Sequence, residues 1–391
     1  MAARGTYEAS RPLHDPIPPA FVELFVDVVY ILAFFILAQG LSANLNWRGA
    51  LQTAVLLLAV MWIWILSSWL TDLYDPQRPQ IKALVIEVMF GSLLAAIALP
   101  AAFGRLSALF VGAYVATIGV TSVALIVLAP HASATLRTEH TLFWHGVTSV
   151  GWIAGALTHG TGRLVLWGVA AVTSYAASLV GWPTPGLGRI RLDDRIFNAW
   201  HLFERHRQIF LVSIGELILS IGLGFARAQL GVGRVIGYAV VFANTVLILE
   251  IYFSRARQLL ASDTLVTLER VRSALATSSA HLLMVGGVVM ISAADDLITA
   301  DPFARRQVSW TVIIVGGPVV VMLGSLLFDT VIGSLRAPRV IATAVLVAVA
   351  PTLYFVPPLV AAALTNLVLA GCLATEAAFR WRRTRSRTAA T

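Results

Sequence analysis

Carboxyl groups lie inside long apolar segments of this chain, where each needs either a partner or a function. Glu23, Asp27 and Tyr30 follow at i, i+4 and i+7, a spacing that puts the three side chains on one face of a helix. An ionisable group in hydrocarbon costs several kcal/mol and often marks an ion pathway. Asp27 is therefore predicted to be buried and partnered. For Glu23 an interfacial position, at the positive end of the helix dipole, is the simpler interpretation.

Further carboxyl groups and one histidine extend this set. Glu87 and Glu216 each lie in an apolar segment, and no structural requirement explains a carboxyl group near the middle of the segment around Glu216. Glu204 shares a helical face with His201, which a cytoplasmic amphipathic turn would explain equally well. His281 is either a hydrogen-bonded core histidine or a member of a proton relay. The candidate substrate or ion pathway residues are thus Glu23, Asp27, Glu87, Glu204, Glu216 and His281.

No sequence pattern points to a resident metal or cofactor. Cys372 is the single cysteine, and no Cys/His spacing resembles a zinc site. The chain also lacks a P-loop, a nucleophile elbow and a dinucleotide fingerprint. We therefore expect no metal site and no cofactor, and the balance leans away from an enzyme.

The elements that hold these residues must cross a membrane. Of the 391 residues, 58% are hydrophobic and 12% are charged, whereas a soluble domain carries about 25% charged residues. The net charge of +8 would suit a nucleic-acid partner, but the basic residues lie between and beyond apolar segments rather than in one patch. We therefore predict a lipid bilayer with anionic headgroups as the partner, and no nucleic acid.

About twelve apolar segments are long enough to be transmembrane helices. We predict an all-α, polytopic transmembrane helical bundle. Its spans are 21–41, 49–70, 82–103, 106–129, 140–158, 163–182, 207–226, 233–254, 275–298, 308–332, 339–356 and 358–379. Prolines predict a tight helix–turn–helix within the last pair, and Gly316-Gly317-Pro318 predicts a break in the tenth span.

Basic residues predict the orientation of these spans. With the N-terminus in the cytoplasm, the inner segments hold about three times as many Lys and Arg residues as the outer ones, the bias of the positive-inside rule. We expect a multi-pass protein of the cell inner membrane with both termini cytoplasmic.

The longest hydrophilic connection suggests a division of the chain after the sixth span. We predict a cytoplasmic N-terminal segment (1–20), a first six-helix half (21–182), a cytoplasmic connector (183–206), a second six-helix half (207–379) and a basic tail (380–391). Spans one and seven would then enter the membrane in the same direction, as in a parallel repeat.

The ordered motifs resemble one bacterial family. The segment from Glu23 to Ala33 (ELFVDVVYILA) is similar to the opening span of the low temperature requirement protein A family. The stretch from His201 to Arg205 (HLFER), with Glu216 following, is similar to a second motif of that family. The Trp-rich second span and Asp75-Pro76 also look alike, so the resemblance covers roughly residues 20–375. It implies a multi-pass membrane protein and adds little about mechanism.

Three functions remain open at this point. The first is transport of a solute or ion, with Asp27, Glu87 and Glu216 binding a cation or proton inside the bundle. The second is an intramembrane enzyme acting on a lipid or isoprenoid, in which the carboxyl groups and His281 act as acid and base or hold Mg²⁺ against a phosphate. The third is a non-catalytic sensor or assembly factor. The identity of the solute, ion or lipid is not readable from the sequence.

Overall fold

The chain folds into α-helices throughout the part that a computed structural model describes, residues 18–128, 138–194, 196–227, 231–259 and 269–388. Within these ranges there are twelve α-helices, one 3₁₀ turn at Leu99–Ala101 and no named β-strand. The helices are α1 (Phe21–Ala43), α2 (Trp47–Leu73), α3 (Pro79–Ala98), α4 (Ser107–Leu128), α5 (Thr138–Leu157), α6 (Gly160–Leu179), α7 (Ala199–Arg227), α8 (Val232–Leu259), α9 (Val271–Ala300), α10 (Val308–Val331), α11 (Ala337–Leu353) and α12 (Pro358–Thr388). Each predicted span coincides with one helix, and the all-α class is confirmed.

Nine of the described helices are long and apolar enough to cross a membrane by length and composition. The three outside that set are α5, α6 and α11. Large apolar side chains, among them Phe21, Phe90 and Val150, are exposed on helix surfaces. Such exposure is favourable in a bilayer and unfavourable in water. The protein is therefore a polytopic helical membrane protein, as the composition predicts.

Helix α7 begins earlier than the hydropathy indicates. It starts at Ala199 rather than near Arg207, so the last part of the predicted connector is helical. Asn198 precedes the helix, and its Oδ1 accepts a hydrogen bond of 3.0 Å from the backbone N–H of His201. This contact satisfies one of the backbone donors that a helix start leaves without an intrahelical acceptor. As a result His201 and Arg205 lie in the first turns of α7.

Two predictions made from prolines in the C-terminal third have different outcomes. The predicted helix–turn–helix is confirmed, because α11 ends at Leu353 and α12 begins at Pro358. The predicted break in the tenth span is wrong, because α10 continues through Pro318. Gly317 lies so close to α9 that an added Cβ atom would be 3.0 Å from the backbone nitrogen of Ile291. Close packing against α9 on this side supports a continuous helix that lacks one backbone hydrogen bond.

The chain divides into two compact units that do not follow its linear order. Unit 1 contains Met1–Leu37, Leu51–Ile209 and Leu265–Ser278, and unit 2 contains Ala38–Ala50, Phe210–Thr264 and Ser279–Thr391. The two six-helix halves at 21–182 and 207–379 stay a prediction.

Unit 1 is organised by successive helix contacts. Helix α3 packs on α4, α4 on α5 and α5 on α6. The indole rings of Trp152 and Trp167 pack 5.6 Å apart, centroid to centroid, with Phe110 beside both. The buried guanidinium of Arg163 donates to the carbonyls of Gly155, Ala156 and Thr158 at the end of α5. The arginine supplies donors at the negative pole of the helix, where the last carbonyl groups run out of N–H partners within the helix.

Unit 2 contains contacts of α8 with α12, and of α10 with α11 and α12. A buried arginine, Arg339, joins several of these helices. Its Nε is 2.8 Å from Glu376 Oε1 and its Nη2 donates to the Ile251 carbonyl at 2.7 Å. Arg336 adds a second contact to Glu376 at 3.3 Å. The positive charge of Arg339 is therefore compensated within its own unit.

Candidate functional site

The structure places four of the six candidate residues in unit 1 and two in unit 2. Glu23 and Asp27 lie together in unit 1 and share one set of partners. Glu87 and Glu204 each have other partners in that unit. Glu216 and His281 belong to unit 2, where their polar partners differ. The candidates therefore form separate groups, and each is described within its unit.

Arg205 holds Asp27 by a bidentate ion pair in unit 1. Nη1 of Arg205 donates to Asp27 Oδ2 at 2.8 Å and Nη2 donates to Oδ1 at 3.0 Å. Trp64 Nε1 donates to the same Oδ1 at 2.9 Å. All three side chains are at most 1% exposed. This two-point geometry is the strongest form of arginine–carboxylate contact, because two parallel charged hydrogen bonds form at once.

His201 bridges two further carboxyl groups in the same unit. Its Nδ1 is 2.9 Å from Asp72 Oδ1 and its Nε2 is 2.9 Å from Glu23 Oε2. Carboxylate oxygens only accept hydrogen bonds, so the imidazolium form, which donates from both nitrogens, satisfies both contacts. Asp72 Oδ2 also accepts from the backbone N–H of Asn198 at 2.9 Å, just before α7 begins.

We call Glu23, Asp27, Asp72, His201 and Arg205 the ion-pair cluster. They come from α1, α2 and α7 and are 0–2% exposed. Three carboxylates face the Arg205 guanidinium and the His201 imidazolium. Buried charges are tolerated when they are paired and hydrogen-bonded in this way. Because its carboxylates are held by Arg205 and His201, the cluster favours a role in fixing three helices rather than in binding a ligand.

Replacing Trp64 by phenylalanine tests how much a single donor to this cluster is worth. The change keeps an aromatic ring but removes the hydrogen bond to Asp27, and a hydrogen bond to a charged group contributes about 1.5–3 kcal/mol. We expect a lower melting temperature of the purified protein in detergent. Trp62→Phe is the matched control on the same helix, since Trp62 packs on Tyr175 at a ring-centroid distance of 4.7 Å. Equal melting temperatures for the two variants would contradict this role of Trp64.

Glu87 and Glu204 are only partly buried. Glu87 Oε2 accepts a hydrogen bond of 3.0 Å from Thr121 Oγ1. Glu204 forms an ion pair with Arg207 one helical turn away, including a contact of 2.9 Å from Arg207 Nε. This i, i+3 pair explains Glu204 as part of an amphipathic helix surface. Neither carboxyl group joins the ion-pair cluster through a contact of its own.

Unit 2 contains a second group of carboxyls that has a different character. Glu216 lies on α7, and the pair Asp295–Asp296 lies on α9, which is joined to α7 by hydrogen bonds at both acids Glu216 and Asp296. We call these three residues the acid cluster. Ser292 donates to Glu216 Oε1 at 2.7 Å, and Ser220 donates to Asp296 Oδ1 at 3.0 Å. The other polar partners of Asp296 are Gln39 at 2.5 Å and Ser42 at 3.4 Å.

Two oxygens of the acid cluster lack donors. Among the described residues, neither Glu216 Oε2 nor Asp295 Oδ2 has a hydrogen-bond partner. Glu216 is fully buried and Asp295 is 5% exposed. No arginine or lysine of the described segments forms an ion pair with any of the three carboxyls, in contrast to the ion-pair cluster. Burial of unpaired acceptors is costly unless a proton or cation occupies them.

His281 has a conventional environment in unit 2. Its Nε2 lies 3.1 Å from the hydroxyl oxygen of Tyr252, and its ring packs edge-on against Tyr252 and Phe328. The side chain is fully buried. These contacts match the interpretation of a hydrogen-bonded core histidine.

Sequence reasoning missed two parts of these sites. It did not single out Asp72, whose signal was an acid at the end of the Trp-rich second span. It also did not include Asp295 and Asp296 among the candidates, although Asp295 is buried. Within the described residues, no group of three or more His, Cys, Asp or Glu side chains is arranged to hold a metal ion.

A comparison with models of known families identifies one family. The family model of the bacterial low temperature requirement A protein matches residues 20–374. An uncharacterized protein of Rhizobium meliloti (strain 1021) is 29% identical over 331 residues, which cover 83% of this chain and 80% of that protein. No solved structure matches. The matched region contains every residue of the ion-pair cluster and of the acid cluster.

Proposed function

The chain belongs to the bacterial low temperature requirement A protein family, and we propose that it moves a proton or a small cation across the membrane through the acid cluster of unit 2. The observation that carries this proposal is the pair of buried carboxylate oxygens, Glu216 Oε2 and Asp295 Oδ2, without donors among the described residues. An intramembrane carboxyl group that lacks a fixed cation is suited to bind and release a mobile one.

Polar side chains around the acid cluster support a hydrophilic passage rather than a sealed core. Asp296 is only partly buried and accepts hydrogen bonds from Gln39, Ser42 and Ser220. Hydroxyl and amide groups of this kind can rearrange to solvate an ion as it leaves a carboxylate. The cluster thus combines an enclosed acid, Asp295, with a more accessible neighbour.

In this proposal the ion-pair cluster of unit 1 has a structural role and does not bind the transported ion. Its acids are already paired with Arg205 or His201 at distances of 2.8–3.4 Å. A transported cation would have to displace these partners, which costs far more than occupying an oxygen that has none. We therefore assign Glu23 and Asp27 to positioning α1, α2 and α7, and Glu216 to the ion.

The orientation follows from the basic residues and is also a proposal. We place both termini in the cytoplasm and the protein in the cell inner membrane, where arginines of the inner segments can contact anionic headgroups. The only cysteine, Cys372, is buried, which makes accessibility labelling straightforward.

Single cysteines are expected to show this orientation. In a Cys372→Ser background, Arg305→Cys should react with a membrane-impermeant maleimide added to intact cells, and Arg189→Cys should react only after permeabilisation. Both native side chains are exposed, so protection reports the side of the membrane. The reverse labelling pattern would place the connector outside the cell and contradict the assignment.

Transport itself is tested with purified protein in liposomes. A membrane potential imposed by a valinomycin-mediated potassium gradient should drive a change in internal pH, or uptake of a labelled alkali cation, above that of protein-free liposomes. The same liposomes are then examined by lipid mass spectrometry. A chemically changed lipid without ion movement would replace the transport proposal with the enzyme alternative, and neither signal would favour the sensor or assembly role.

A further inference from the structure

A small internal cavity of unit 2 is lined by one residue of the acid cluster, Asp295. Asp295, Asn244 and Thr365 supply its polar groups, and the remaining lining side chains are apolar or proline. The cavity has room for about one water molecule. Asp295, Asn244 and Thr365 are 5%, 7% and 1% exposed, so the site is enclosed by protein.

The Thr365 hydroxyl and one N–H of the Asn244 amide already donate to groups outside the cavity lining. Asn244 Nδ2 donates to Asn366 Oδ1 at 2.6 Å, and Thr365 Oγ1 donates to the Ala361 carbonyl at 2.9 Å. Asn366 is in turn held by a hydrogen bond of 2.9 Å to the Val240 carbonyl, which fixes the amide of Asn244 with its oxygen free to face the cavity. Oxygens of Asp295, Asn244 and Thr365 therefore remain available as acceptors at this site.

Two of the acceptors have no hydrogen-bond partner among the described residues, namely Asp295 Oδ2 and Asn244 Oδ1. Thr365 Oγ1 keeps lone pairs after its own donation. Pro318 adds to the pattern, because it has no N–H for the Ile314 carbonyl, and both residues line the cavity. An enclosed site with two unpartnered oxygens, one of them from a carboxylate, suits a positively charged occupant.

We propose that Asp295, Asn244 and Thr365 bind a single dehydrated alkali-metal cation. One formal negative charge balances one monovalent cation, whereas a divalent ion would leave an uncompensated charge in an apolar surrounding. Hard oxygen ligands, one charged and the others neutral, suit such an ion. This cation site rests on the proposed function, because it names the ion that the protein would transport.

Binding is tested without transport. The full-length protein, purified in detergent, is melted in choline chloride and in NaCl or KCl at constant ionic strength. We expect a saturable rise in melting temperature with Na⁺ or K⁺, because a ligand that binds only the folded state stabilises it. Asp295→Asn should abolish the rise, and Thr365→Val should shift its midpoint to a concentration about tenfold higher, a loss of about 1.4 kcal/mol.

Asp301→Asn is the matched control, because it removes an exposed carboxyl just after α9 that lies outside the acid cluster and does not line the cavity. It should keep the cation-dependent rise. If Asp295→Asn fails to fold, the wild-type salt titration and the Thr365→Val midpoint still decide the question. A wild-type melting temperature that responds to pH but not to Na⁺ or K⁺ would overturn the cation site while leaving proton transport intact. Binding without ion flux in liposomes would instead overturn the proposed function and leave the site.

Discussion

Replacing Arg205 by methionine is expected to remove most of the folded protein. The substitution leaves Asp27 and Glu23 buried at 1% and 0% exposure without their guanidinium partner. Removing one partner of a buried ion pair costs about 3–5 kcal/mol, a large part of the 5–15 kcal/mol that typically stabilises a protein. The measurements are the yield of monodisperse protein in detergent and its melting temperature.

Arg207→Met is the matched control for this prediction. Arg207 lies on the same helix and pairs with Glu204, but its side chain is 29% exposed. Such a surface pair contributes about 0–1 kcal/mol, so this variant should melt close to the wild type. Adding Asp27→Asn to Arg205→Met should recover part of the yield, because the amide removes one stranded charge. Similar behaviour of the two arginine variants would show that the ion-pair cluster does not hold unit 1 together.

Glu216→Gln is expected to separate stability from transport. The amide keeps the size of the side chain and an oxygen for the 2.7 Å hydrogen bond from Ser292. It also replaces a buried carboxylate oxygen that has no donor in the described chain. Since burying an unpaired charge is unfavourable, the melting temperature should stay the same or rise. Ion flux in liposomes should fall by about tenfold or more, because a neutral amide cannot exchange a proton or balance a cation.

Glu204→Gln provides the comparison on the same helix. Glu204 already has Arg207 as its counter-ion, so neutralising it should leave flux nearly unchanged. A loss of flux in Glu204→Gln as large as in Glu216→Gln would move the ion pathway away from the acid cluster. A fall in melting temperature in Glu216→Gln, with flux retained, would assign Glu216 a structural role instead.

The helices could be predicted because their signals are local. A run of about twenty apolar residues defines a span wherever it occurs, and Pro358 marks the start of α12 because proline suits the first turn of a helix. Even so, hydropathy placed the start of α7 too late. The Asn198 cap and the buried charges of its first turns are polar features, which lower the hydropathy of residues that are nevertheless inside the fold.

Partners within the sites could not be predicted because they are distant in sequence. His201 and Asp72 are 129 residues apart along the chain, and Asp27 and Arg205 are 178 apart. The sequence marks each of these residues as unusual in an apolar segment, but it does not say which charges neutralise each other. That difference decides function here, since Asp27 has an arginine partner and Glu216 has none among the described residues.

The most direct test of ion translocation through the acid cluster is the current that the protein generates on a solid-supported membrane after a jump in ion concentration. Wild-type proteoliposomes should give a transient current on a proton or alkali-cation jump, and Glu216→Gln proteoliposomes with equal protein content should give none. No current from the wild type under either jump, or an equal current from both proteins, would contradict the assignment of the acid cluster as the route of the ion.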